Sequence, residues 1–158
     1  IEPNQTLALS TLALVKAGEF YYDEAEELVE KAVQNEPENF QNHYRYAAVL
    51  SRQGMTEHGF VSGYHPALAE KMRQALKKAI ELNPGFTPSY ALYAFVNFVR
   101  NEQLDESLEL LRKALEAAPQ NQRYLLRLAE LNLRKENFIE ARRNALAVFR
   151  SAPTDSLK

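Results

Sequence analysis

Four prolines, Pro37, Pro84, Pro119 and Pro153, punctuate the chain at separations of 47, 35 and 34 residues. Each closes a helical pattern, because proline lacks an amide donor and pushes its predecessor out of the helical region. Counting back from the four prolines gives the same rows each time. Five positions earlier stand Ala32, Ala79, Ala114 and Val148; eight earlier, Val29, Leu76, Leu111 and Ala145; twelve earlier, Ala25, Met72, Ser107 and Ala141. Rows three and four residues apart share one side of a helix, so each proline ends a helix with a single buried stripe. The spacing leaves room for two helices per unit, and no stretch alternates long enough to predict a strand.

Eight helices are expected, at roughly 5–17, 22–35, 39–53, 66–83, 87–101, 104–118, 121–135 and 138–151. Turns are placed at Gly18, Gly54 and Asn101, residues that tolerate the left-handed conformation ending a helix, and at Asn137. The segments GEFYYDEAEELVEKAVQNEPEN, NEQLDESLELLRKALEAAPQN and NLRKENFIEARRNALAVFRSAP, with small residues at Ala47, Ala94 and Ala129, resemble the tetratricopeptide repeat. The resemblance covers essentially the whole chain as four units, 5–37, 38–84, 85–119 and 120–153, in one repeat domain 1–158. It implies an all-α solenoid, a right-handed superhelix whose inner surface, lined by the first helix of each unit, holds an extended or helical peptide. The chain departs from the family pattern in having no tryptophan, with Leu125 at the large-aromatic position of the last unit. The second unit, 47 residues against 34, carries thirteen extra residues.

Composition sets the class. The 158 residues are 46 % hydrophobic and 25 % charged with a formal charge of −2, so nothing favours nucleic acid. No apolar run is long enough to span a membrane, no targeting segment is present, and a soluble protein of unassigned compartment is expected. The absence of cysteine removes thiolate zinc sites, disulfides and a thiol nucleophile. The start at Ile1, without a methionine, reads as part of a longer chain.

Candidate binding residues come from the first helices. SYALYAFVNFVRN is apolar nearly all round, which fits either a central buried helix or a groove lined by Leu92, Phe95, Val96 and Val99. Arg123, Arg127 and Arg134 share a face with Glu130; Arg45 and Arg52 are expected on the same inner surface and Arg100 near its edge. Guanidinium forks suit a carboxylate or an acidic peptide, whereas a solvated face of Arg–Glu pairs is the plainer alternative. Relatives that clamp a chaperone's terminal carboxylate combine Lys-x-x-x-Asn, a further Asn and Lys-x-x-x-Arg. Only Arg123 and Arg127 imitate the last pair, so that clamp is not expected.

Catalytic groups are sparse. There is no His-Glu-x-x-His, no Gly-x-Ser-x-Gly, no phosphate loop and no dinucleotide fingerprint. Neither an enzyme nor a cofactor is predicted. His58 and His65, with Glu57, are seven apart in the insertion, a poor preformed ligand set, and no metal site is predicted. The insertion GMTEHGFVSGYHPAL splits into a loop, 55–65, and an extension of the following helix from Pro66, which suits a first helical turn. Phe60, Val61 and Tyr64 are apolar for a loop and are expected to fold back on the stack; exposure to a partner is the alternative. The expected function is a non-enzymatic scaffold for a protein or peptide. The alternative is an assembly element that docks an upstream domain or a second copy through the apolar helix 5–17, where Leu7, Leu9, Leu12, Leu14 and Val15 spread round the circumference.

Overall fold

A computed structural model describes residues 3–56 and 60–151. Glu57, His58, Pro153 and the segment after it lie outside the described residues. Eight helices run in order: α1 (Pro3–Gly18), α2 (Tyr22–Asn35), α3 (Phe40–Ser51), α4 (Pro66–Leu82), α5 (Pro88–Arg100), α6 (Leu104–Ala117), α7 (Gln122–Arg134) and α8 (Phe138–Ser151). The expected ends fall within two residues of these bounds, and α4 does begin at Pro66. A 3₁₀ turn, Arg52–Gly54, extends α3.

Local chemistry accounts for the starts. The Asn39 side chain accepts from Gln41 N at 3.0 Å, and that of Asn121 accepts from Arg123 N at 3.1 Å. Each satisfies an amide that the first helical turn leaves without a partner. The stops differ from expectation. Asn101 takes the left-handed conformation as expected, but neither Gly18 nor Gly54 does, and Phe20, Gln103 and Glu136 do. Within the first, third and fourth pairs the reversal uses a left-handed residue, whereas the connections between pairs, after α2, α4 and α6, reverse without one.

Consecutive helices form four antiparallel pairs, α1–α2, α3–α4, α5–α6 and α7–α8. The first helix of each pair leans on the first helix of the next, and each second helix packs on the first helix that follows it. The first helices therefore make a continuous inner row, the arrangement of an all-α solenoid. The proline-derived stripe is core on the first three second helices, where Ala25, Val29, Ala32, Met72, Leu76, Ala79, Leu111 and Ala114 are at most 1 % exposed. On α8 only Ala141 of the stripe is buried, while Ala145 is exposed and Val148 half-buried.

Beside the apolar cluster between the second and third pairs lies a buried polar network. Arg73 on α4 donates from Nε to Asn97 Oδ1 at 2.7 Å and meets Glu102 at 2.5 Å; Asn97 Nδ2 donates to Ser107 Oγ at 2.9 Å. Glu102 is also held by Arg100 at 2.6 Å. Hydrogen bonds from Arg100 and then Arg73 hold the Glu102 carboxyl below its ordinary 4.5. A depressed folded-state value contributes stability above the unfolded value, and that stability is lost as pH falls through the folded one. Wild type is therefore expected to lose melting temperature faster than Glu102→Gln as pH is lowered below about 4.5, read by circular dichroism.

Candidate functional site

The four first helices line the inner row, and its charge is one-sided. The four first helices carry Lys16, Arg45, Arg100, Arg123, Arg127 and Arg134 against one acidic residue, Glu130. The second helices hold the acids, five of them in α2 alone. Of the second helices α2 and α6 are net acidic, whereas α4 and α8 carry more basic than acidic residues.

The inner row's strongest local feature is a ladder of rings and guanidinium groups. It begins in the insertion, where Tyr64 stands edge-on to Phe95 of α5 with centroids 6.4 Å apart. Arg127 of α7 lies 4.6 Å from the Phe95 ring and 5.2 Å from that of Phe98. Arg134 covers Phe98 at 4.7 Å. Stacking on rings holds a planar guanidinium in place while leaving its edge available to a carboxylate. Arg127 also pairs with Glu130 at 2.6 Å. Burial pushes the Arg127 guanidinium below its ordinary value, with Glu130 and Tyr64 opposing, and an arginine remains charged throughout.

The insertion is built into this site. Its ends are stapled by Ser62 N to Gly54 O at 3.0 Å and by a bridge between Met55 and Val61. Tyr64 is 4 % exposed, packed with Ala47, Leu50, Met72 and Val96, and its hydroxyl donates to Ser51 O at 3.2 Å. Desolvation pushes its phenol up to about 12. The Tyr64 carbonyl in turn accepts from Arg100 at 3.1 Å. Val61 packs against the same cluster. Phe60 does not: it is 73 % exposed, a correction to the expectation that all three apolar residues fold back. The loop is short and stapled at its base, so a side chain at its tip points away from the stack.

The other sequence candidates divide by their surroundings. Leu92, Phe95 and Val99 are half-buried along α5 and border the core. Val96 is fully buried among Ala47, Met72 and Tyr93, so it is core and drops out of any partner-contacting set. Arg123 is exposed at the start of α7. Arg45 is turned back to α1, donating to Ser10 Oγ at 2.7 Å. Arg134, grouped by sequence with Arg123 and Arg127, belongs to the ladder, and so does Phe98, which was not among the expected contacts. Phe98 lies one turn beyond Phe95, and the i, i+3 relation between them is the signal that could have placed it. No group of three or more metal-ligating side chains is gathered among the described residues. None of the described helices is long and apolar enough to cross a membrane.

No protein-family model matches the chain, and no curated protein matches it. Solved structures do. MamA residues 41–end from Desulfovibrio magneticus RS-1 superposes with a TM-score of 0.75 at 21 % identity, over 94 % of this chain and 76 % of that one. YrrB, described as a TPR protein with an unusual peptide-binding site, gives 0.74 at 20 % identity, over 95 % and 70 %. The first TPR of Spaghetti (RPAP3), bound to an HSP90 peptide, gives 0.71 at 18 % identity, over 86 % and 97 %. The fold is the tetratricopeptide-repeat solenoid.

Proposed function

We propose that this chain is a non-enzymatic scaffold that holds an acidic segment of a partner protein along its inner row. The observation that carries the reading is the basic excess of the inner row, six basic residues against one acidic on the four first helices. Phe95, Phe98, Arg127 and Arg134 are the central contacts, with Leu92, Val99, Arg123 and Arg45 flanking them. Anchors that combine rigid aromatic area with arginine are the side chains that dominate binding energy at interfaces. Two of the structurally similar proteins bind or are described as binding peptides, which supports the general mode and leaves the partner to be identified.

The test is a displayed random-peptide library selected on the immobilised chain. Enrichment of Asp- and Glu-rich sequences is expected. Their affinity should fall about tenfold, roughly 1.4 kcal/mol, on Arg127→Ala and recover little with lysine there, because lysine cannot stack and fork at once. Enrichment of basic sequences, or binding indifferent to Arg127, would sink the reading. Phe95→Glu, with folding checked by circular dichroism, separates the groove from the core: a folded variant that binds as before removes Phe95 from the site.

A second reading has its own observation. Leu7, Leu12 and Val15 on α1 are 48 %, 46 % and 51 % exposed, an apolar face of the kind that docks another domain or another copy of the chain. The experiment in the following subsection tests it.

A further inference from the structure

The opposite end of the stack is apolar too. On α8, Ile139 is 81 % exposed, Phe149 73 % and Leu146 39 %. One repeat earlier, 34 residues back, Ile139 and Leu146 correspond to Asp105 and Arg112 on α6, ordinary solvated charges. The α8 end has thus exchanged charge for apolar surface where a solvent-facing second helix would keep it.

What fits this end can be read from the way α3 packs on the first hairpin. There Val49 is buried with Ala13 and Val29. Tyr46 donates to Glu30 at 3.2 Å, Gln53 donates to Glu26 at 3.0 Å, and Lys71 of α4 reaches Glu26 at 2.7 Å. Moving α3 back by 34 residues, so that Ala47 falls on Ala13, turns Tyr46, Val49 and Gln53 into Leu12, Val15 and Glu19. Moving α2 forward by 116, so that Ala25 falls on Ala141, turns Glu26, Val29 and Glu30 into Arg142, Ala145 and Leu146. Lys71, set back by 47, becomes Glu24.

The Val49–Val29 contact stays apolar as Val15 against Ala145, and the other pairings change on both sides while remaining complementary. The Tyr46–Glu30 hydrogen bond becomes an apolar contact between Leu12 and Leu146. A glutamate met by glutamine and lysine becomes an arginine, Arg142, met by the glutamates Glu19 and Glu24; Lys16 already holds Glu24 at 2.9 Å within the chain. Arg142 and Glu19 are both exposed. Complementarity on two chemistries at once, in the register of the fold's own repeat, identifies the occupant of each end as the other end.

We infer that the chain stacks on copies of itself head to tail, with α1 of one copy seated on the α7–α8 end of the next. The inference rests on the second reading above and assigns it both faces; it is independent of the peptide groove. Because the two faces differ, the contact is heterologous and grows as a line rather than closing as a two-fold dimer.

Sedimentation of the whole chain tests it. The weight-average mass should climb from 18.1 kDa with concentration and pass beyond the dimer. Leu12→Glu and Phe149→Glu, at exposed positions whose folding is checked by circular dichroism, should each remain monomeric. An equimolar mixture of the two should form a dimer and stop there, since each variant keeps one intact face. Should either variant fail to fold, Arg142→Glu takes the place of Phe149→Glu and Glu19→Arg that of Leu12→Glu. A wild-type chain that stays at one protomer overturns self-association altogether. A wild type that associates but whose Phe149→Glu variant still does so overturns the head-to-tail arrangement and leaves pairing through α1.

Discussion

Gly54→Ala is expected to lower the unfolding free energy by about 3 kcal/mol and to release the insertion from the stack. A Cβ at position 54 would lie 2.5 Å from the Gly63 carbonyl oxygen and 2.5 Å from the Tyr64 ring. Neither neighbour can withdraw. The carbonyl is backbone, and the ring is wedged in the core beside Leu50 and Met72. Losing the docked Tyr64 removes a buried aromatic side chain and its bond to Ser51, and deprives Arg100 of an acceptor. Urea denaturation gives the free energy, and tyrosine fluorescence or hydrogen exchange over 60–64 reports the release. An alanine variant as stable as wild type would mean that the loop's packing contributes nothing to the fold. Alkali should act at the same place. The Tyr64 phenol is raised to about 12 in the folded chain, so its contribution is intact below the unfolded value of roughly 10 and is lost as pH rises between the two.

Asn97→Leu is the second large loss, also about 3 kcal/mol. The side chains are similar in volume, so the change is chiefly in hydrogen bonding. Arg73, whose side chain is 7 % exposed, loses the acceptor for its Nε, and Ser107 loses the amide that donates to it. A buried charge deprived of one partner costs far more than the pair contributes, because desolvation has already been incurred. The second substitution, Arg73→Met, should therefore restore most of what Asn97→Leu removes, with Glu102 still held by Arg100. A double-mutant cycle by urea denaturation measures the coupling. If the two single losses simply add, the network is not acting as a unit.

The fold was legible in the sequence because its cause is local and repeated. Four prolines and the rows at offsets of five, eight and twelve fix where each second helix ends and which side it buries. Near-neighbour geometry on a helix then does the rest. The start of α4 at Pro66 was legible for the same reason, a residue whose fixed backbone angle suits a first turn. The site was legible only in part. Phe95, Arg127 and Tyr64 were named from composition, but α5 is apolar on most of its circumference, and an apolar helix carries no internal mark of which side is core. Its neighbours decide that Val96 is buried with Met72 while Phe98 receives Arg127 and Arg134.

Gly54 shows the same division from the other direction. Its place at the end of α3 follows from sequence, and a left-handed turn was the natural expectation for it. What makes glycine necessary is instead the approach of Gly63 and Tyr64, residues that the loop brings back from nine and ten positions away. By itself the sequence determined the helices, their order, their buried stripes and the point at which the second unit was enlarged. Only the tertiary structure decided what the enlargement packs against, which side of α5 is core, and which rings meet the α7 arginines. Those depend on distances between segments remote along the chain, and no periodicity within a segment encodes them.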